Sequence, residues 1–165
     1  MMMKPHIDSK LVPILEKVYD PEIPVLSILD MGIVRYARID KGFVNVKITS
    51  TYSGCPAMDV LGNDIAESLK KLGYDSSIEL VLTPAWTTDW ITEKGRKALE
   101  AYGIAPPLNP AADKNALLGK TRIVKCTNCG SKNTYMVSQF GSTACKALFK
   151  CDDCQEPFDY FKCLK

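Results

Sequence analysis

Lys125-Cys126-Thr127-Asn128-Cys129-Gly130 and Lys150-Cys151-Asp152-Asp153-Cys154 are two turns of one kind. In each, two thiolates separated by two residues can point at a single ion from a tight loop. The 21 residues between Cys129 and Cys151 leave room for a hairpin, with strands expected over 133–138 and 145–150. Four thiolates so arranged make the tetrahedral site of structural zinc and the geometry of a zinc ribbon. Cysteine tetrads also hold iron–sulfur clusters, so the spacing leaves the metal open between zinc and a cluster. Cys145 and Cys163 lie close in sequence to Cys126, Cys129, Cys151 and Cys154. They are candidate additional ligands; the alternative for Cys145 is a small buried strand residue. Residues 120–165 are too few for a sizeable apolar core, and blocks of about 45 residues usually need a metal or disulfides.

Working back along the chain, Gly103, Pro106, Pro107, Pro110 and Gly119 mark residues 104–119 as a linker. Before it, residues 7–103 read as an α/β domain, a small mixed sheet with packed helices. Leu11, Ile14, Leu15 and Val18 recur at helical spacing over 8–19, and Asp20-Pro21-Glu22-Ile23-Pro24 stops that helix. Strands are expected over 32–39 and 43–50, joined by the turn signal Asp40-Lys41-Gly42. A second helix follows Cys55-Pro56, with Met58, Leu61, Ile65, Leu69 and Leu72 as its apolar stripe and Gly73 as its end. A strand over 77–83 and a helix starting near Thr88-Asp89 complete the set.

The chain has 165 residues, 46% hydrophobic and 24% charged, the composition of a globular protein. The formal charge of +2 is too small for a generic polyanion binder. It divides into +4 over residues 120–165 and −2 over 1–119, which keeps a nucleic-acid reading open for the tail. No apolar run reaches the roughly 18 residues of a membrane span, and Met1 to His6 lacks a signal core. A cytoplasmic location is expected. Seven cysteines, an odd count with two Cys-x-x-Cys pairs, read as metal binding rather than disulfides in a reducing compartment.

Cys55 falls at a helix N-terminus, where backbone N–H groups and the helix dipole favour negative charge. A thiol so placed suits a nucleophile or a metal ligand; its alternative is a capping residue without chemistry. Asp20 and Glu22 can supply carboxylates to the same site, or simply form a helix-ending turn. Trp86 and Trp90, the only tryptophans, sit in Pro84-Ala85-Trp86-Thr87-Thr88-Asp89-Trp90. They are candidate partner-binding anchors or, equally, core residues. His6 is the single histidine. It sits near the terminus, so no Ser-His-Asp set can be assembled in the body, and no Gly-rich phosphate loop is present.

Tyr19-Asp20-Pro21-Glu22-Ile23-Pro24, Asp30-Met31-Gly32-Ile33-Val34 and Thr51-Tyr52-Ser53-Gly54-Cys55-Pro56-Ala57-Met58 resemble the iron–sulfur assembly domain of SufT-like proteins and eukaryotic cytosolic assembly factors. Further segments narrow the resemblance: the tryptophan loop, Tyr102-Gly103-Ile104-Ala105-Pro106-Pro107, Phe140-Gly141-Ser142-Thr143-Ala144-Cys145-Lys146, and the run from Phe158 to Cys163. With these the chain resembles the PaaD (PaaJ) family of bacterial phenylacetate degradation over about residues 10–165. The one departure, Met31 where the family has Leu, conserves volume.

The resemblance implies an assembly-type α/β domain followed by a four-cysteine metal ribbon of short β-strands. It implies an accessory protein rather than an enzyme, one that matures the multicomponent phenylacetyl-CoA epoxidase by inserting iron or an iron–sulfur centre. Its partners would be the epoxidase subunits and the iron–sulfur assembly machinery, with no membrane, and a homodimer as a candidate state. Zinc or a cluster would sit at the four ribbon cysteines. Iron or a cluster would be held transiently at Cys55, helped by Asp20 or Glu22. The rivals are a structural or electron-transfer component of the epoxidase, and a nucleic-acid-binding zinc ribbon.

Overall fold

The computed structural model describes residues 4–120 and 123–162, and the chain divides into two compact units, residues 1–95 and 96–165. The expected class, a small mixed sheet with packed helices followed by a cysteine-rich β-ribbon, is the class observed. No helix among the described residues is long and apolar enough to cross a membrane.

The first unit contains β1 (His6–Ile7), α1 (Val12–Leu15), β2 (Val34–Asp40), β3 (Phe43–Ile48), α2 (Ala57–Lys70) and β4 (Asp75–Leu80). Its sheet has the order β1-β2-β3-β4; β2 and β3 are antiparallel, and both outer pairings are parallel. The β2–β3 turn is set by its own residues. Lys41 (φ 48°) and Gly42 (φ 85°) both take positive φ, as a type I′ hairpin demands. Val44, Val46 and Ile48 alternate into the core, with Leu61, Ile65 and Leu69 of α2 fully buried. Gly73 (φ 84°) ends α2, and the Tyr74 N–H returns to the Leu69 carbonyl at 3.1 Å, the closure of a Schellman motif. Leu72, expected in the apolar stripe, lies past the helix and is 60% exposed.

α1 is far shorter than the expected helix over 8–19. Pro13 has no N–H and fits only a first turn. Around it the chain advances by tight turns, with Ile14 N–H bonded to Leu11 O and Val18 N–H to Leu15 O. The helix expected from Thr88-Asp89 is divided in two. A 3₁₀ turn, Thr88–Trp90, is capped by Thr87; α3 (Glu93–Tyr102) then starts behind Thr92, whose Oγ1 accepts the Gly95 N–H at 3.0 Å. The unit boundary falls within α3.

The second unit adds β5 (Ile104–Ala105), α4 (Pro110–Leu117), β6 (Thr134–Ser138), β7 (Lys146–Cys151) and β8 (Pro157–Phe161), in the sheet order β5-β8-β7-β6. Residues 104–119, expected as a linker, therefore carry a strand and a helix. Ala105 and Ala116 are buried with Ala147, Phe149, Phe158 and Tyr160. The Tyr160 hydroxyl donates to buried Asp113 and accepts the Leu108 N–H at 3.2 Å, which fastens this segment to β8. The Pro and Gly content that suggested a linker marks turns between elements that the ribbon needs to complete its core.

Candidate metal centre

The four expected ribbon cysteines converge. The Sγ atoms of Cys126, Cys129, Cys151 and Cys154 lie within 4.8 Å of one another. Two pairs, Cys126–Cys154 and Cys129–Cys151, are 3.6 Å apart. A tetrahedron with metal–sulfur distances of about 2.3 Å has edges of about 3.8 Å, close to the two 3.6 Å pairs, so the cradle has the size for one ion. The donor set itself argues for a metal: four unbridged thiols facing each other at this range are the ligand set of a structural ion in a fold too small for a large core.

Local backbone chemistry builds each half. Cys126 N–H donates to Ser131 O (2.8 Å), Gly130 N–H to Cys126 O (2.9 Å), and Asn128 N–H to Cys126 Sγ (3.4 Å). Cys151 N–H donates to Glu156 O at 3.1 Å. The residue after the second cysteine is left-handed in both loops, Gly130 at φ 75° and Gln155 at φ 63°. Gln155 lacks glycine's freedom, and its side-chain amide donates to Asp152 O to hold the turn. Asp153 links the two loops by accepting from Ser131 Oγ and from Asn133 Nδ2 (2.9 Å), and these bonds hold its carboxyl below the usual range.

The thiols are unequal. The Glu156 backbone N–H, then the Asn128 side chain, hold Cys154 down at about 6. Cys129 receives the Ser131 backbone N–H, which favours its thiolate, yet burial and hydrogen bonds with Cys151, Cys154 and Cys126 push it up to about 12. Adjacent thiolates repel, so full ionisation of the set needs a cation at its centre.

Cys145 is buried before β7, with Sγ 3.0 Å from Thr143 Oγ1, and lies outside the converging group. Cys163 lies outside the described residues.

In the first unit, Cys55 is half-buried ahead of α2. Pro56, with helical dihedrals (φ −69°, ψ −17°), is the N-cap, so Cys55 stands one residue ahead of the cap rather than at it, and its carbonyl accepts the Met58 N–H at 3.3 Å in the turn that leads into the helix. Asp20 is 5% exposed. Its Oδ1 accepts the N–H groups of Glu22 (2.7 Å) and Ile23 (3.0 Å), which makes it the clamp of the proline turn. Asp20, Glu22 and Cys55 do not converge as the ribbon cysteines do.

The two tryptophans part company. Trp86 is 4% exposed, and its Nε1–H donates to Met31 O at 2.9 Å, so it is a core residue and not a surface anchor. Trp90 is half-buried, with the Arg35 guanidinium 3.6 Å from its ring centre. Asp30 joins the same assembly: it accepts from Thr92 Oγ1 (2.7 Å) and Ser27 Oγ (3.0 Å), and its carbonyl accepts the Thr92 N–H. The segments that carry the family resemblance around Asp30 and Trp86 are thus one interlocked structure.

Two family models match in tandem: iron–sulfur cluster assembly protein over residues 9–80, and PaaD zinc beta ribbon domain over residues 110–162. A protein of Escherichia coli (strain K12), named as one of the subunits of 1,2-phenylacetyl-CoA epoxidase, is 46% identical over 153 residues, covering 92% of this chain and 90% of that protein. A protein of Porphyromonas gingivalis named Fe-S protein maturation auxiliary factor is 35% identical, covering 53% of this chain and 85% of that one. The crystal structure of a domain of unknown function, DUF59, from Bacillus anthracis superposes with a TM-score of 0.51 at 26% identity, covering 55% of this chain and 88% of that one. The cysteine tetrad, the order of the two domains and the full-length similarity agree: this chain belongs to the PaaD family, in which an iron–sulfur assembly domain precedes a zinc β-ribbon.

Proposed function

We propose that this protein is a non-catalytic accessory factor that delivers iron or an iron–sulfur centre to a multicomponent phenylacetyl-CoA epoxidase. The observation that carries the reading is the separation of two kinds of cysteine site. The ribbon tetrad is a closed four-thiol cradle, suited to a resident zinc. Cys55 stands apart from it in sequence, half-buried and in no disulfide, within the residues matched by the assembly model. A closed site holds its ion; a single thiol at a helix N-terminus can bind cargo and release it.

In this reading Cys55 is the transient ligand. Glu22 is a candidate second donor, and Asp20 acts through the turn it clamps. The ribbon, with its surplus of lysines, docks the client. The relatives' names supply both halves of the role: a component of the epoxidase and maturation auxiliary factors. The test is to co-express the epoxidase subunits with wild-type or Cys55→Ser protein and measure iron and acid-labile sulfide in the purified epoxidase. Loss of metal from the client, with the variant's own zinc unchanged, is expected. Full iron and sulfide in the client with Cys55→Ser would refute the role.

The Escherichia coli relative is named as part of the epoxidase itself, which supports a second reading, a structural or electron-transfer component. It predicts stoichiometric co-purification with the epoxidase and a stable coloured cluster in place of zinc.

A further inference from the structure

The first sheet has a second face, opposite the one carrying Val44, Val46 and Ile48 into the core. A cleft of about 720 Å³ opens on it, within the size range of small-molecule sites. Strand register lines it with a transverse row: His6 lies opposite Tyr36, Tyr36 opposite Lys47, and Lys47 opposite Glu79. A β-bulge adds one more residue. The β2–β3 register shifts between Val34 and Tyr36. Val34 and Ala37 are both buried, so Arg35 and Tyr36 between them both turn away from the core, where strict alternation would send them to opposite faces. Bulges re-aim side chains in this way beside functional sites.

Arg35 is also held in place. Its guanidinium sits 3.6 Å from the Trp90 ring centre and donates to Gly32 O at 3.5 Å. A fixed planar fork is the group best suited to phosphate oxygens. Lys4 and Lys47 add positive charge, and the single lining carboxylate, Glu79, is paired with Lys47 at 3.0 Å. The lining thus holds three cations, Lys4, Arg35 and Lys47, to one carboxylate, on a body of net −2 over residues 1–119. Beside the cations, the His6 and Tyr36 rings stack with centroids 5.7 Å apart and planes 29° from parallel, a flat surface next to a charged one.

We propose that this cleft binds a mononucleotide, its phosphate on bulge-aimed Arg35 with Lys4 and Lys47 and its heteroaromatic ring against Tyr36 and His6. A phosphate monoester dianion matches the charge surplus, and stacking supplies affinity that inorganic phosphate lacks. The proposal stands on the first unit alone and does not depend on the maturation role.

The test is a titration of the metal-loaded, isotope-labelled full chain with AMP at low ionic strength, with adenosine and inorganic phosphate in parallel. AMP is expected to saturate and to shift the resonances of His6, Arg35, Tyr36 and Lys47. Adenosine and phosphate are each expected to bind roughly tenfold more weakly or worse. Arg35→Gln is expected to weaken AMP about tenfold, the loss of a charge-assisted contact. Because that variant also loosens the Trp90 contact, Lys47→Gln serves as the second: a several-fold weakening with an unchanged melting temperature is expected. Failure of AMP to saturate would overturn the proposal. So would unchanged affinity in both variants, or phosphate binding as tightly as AMP. A single-stranded oligonucleotide that occupies these residues more tightly than AMP would also replace it.

Discussion

Gly32 is the position where a single methyl group should do the most damage to the assembly domain. It has φ 74°, and a Cβ built there would lie 2.5 Å from Trp90 O, 2.7 Å from Trp90 Cβ and 2.9 Å from Trp90 C. The left-handed conformation alone costs an alanine about 1–2 kcal/mol. Ordinary contact begins near 3.4 Å, so the Trp90 backbone must retreat by most of an ångström. Overpacking of that kind costs about 1–3 kcal/mol. The retreat also pulls the Trp90 ring from Arg35, a cation–π contact of about 0.5–1 kcal/mol. Gly32→Ala should therefore destabilise the first unit by about 3–5 kcal/mol, a fall in melting temperature of about 15 °C or more for a unit of this size. Two other glycines separate the causes. Gly54 has a similar φ of 75° with nothing within 4 Å of its would-be Cβ, so Gly54→Ala should cost only the conformational term of about 1–2 kcal/mol. Gly62 lies inside α2, and its nearest neighbour would be Ile78 Cγ2 at 3.9 Å; Gly62→Ala should stabilise by about 0.5–1 kcal/mol. The assay is thermal unfolding of the metal-loaded full chain, followed by near-ultraviolet signal from the two tryptophans, both in this unit. A Gly32→Ala cost no greater than that of Gly54→Ala would show that Trp90 yields freely, and the interlocking of residues 30–32 with 86–92 would be refuted.

Removing the Tyr160 hydroxyl by Tyr160→Phe should cost the second unit about 1–3 kcal/mol, because the bridge between Asp113 and the Leu108 N–H is lost inside the core; a loss under half of that in chemical denaturation would show that water replaces it. Trp86→Phe keeps most of the ring but leaves Met31 O without its 2.9 Å donor, and about 2 kcal/mol should go with it. Metal binding at neutral pH should release roughly one proton or more, since Cys129, pushed up to about 12, enters protonated while Cys154, held at about 6, is already ionised. Calorimetry in buffers of different ionisation enthalpy reads that number. For Cys154 the folded value is depressed from about 9, so its stabilising share is full above that pH and fades as pH falls through about 6. Acid release of metal should therefore steepen below pH 6, and release that is complete well above it would contradict the assignment. Stripping the metal with a chelator should unfold the ribbon and leave the tryptophan signal of the first unit in place.

Several features that depend on neighbours along the chain were legible in the residues alone. The paired Cys-x-x-Cys turns, the Asp40-Lys41-Gly42 hairpin, the α2 stripe from Met58 to Leu69 and its stop at Gly73 are all local, and each is observed. β8 carries a legible signal too, the alternation of Phe158 and Tyr160. Other features depend on partners far away along the chain. β1 and β5 are two residues long and exist because parallel partners lie beside them, so no periodicity could announce them. Pro13 belongs instead with the local signals: its missing N–H shortens the periodic helix, because the apolar stripe says where side chains point, not whether the backbone can hydrogen-bond. Trp86 went into the core and Trp90 under Arg35, a division set by Met31 O and by Gly32 rather than by the loop they share. The bulge that turns Arg35 onto the face of Tyr36 depends on how β2 meets β3. Local geometry is written in a few residues; which surfaces meet across long loops depends on the whole unit closing at once.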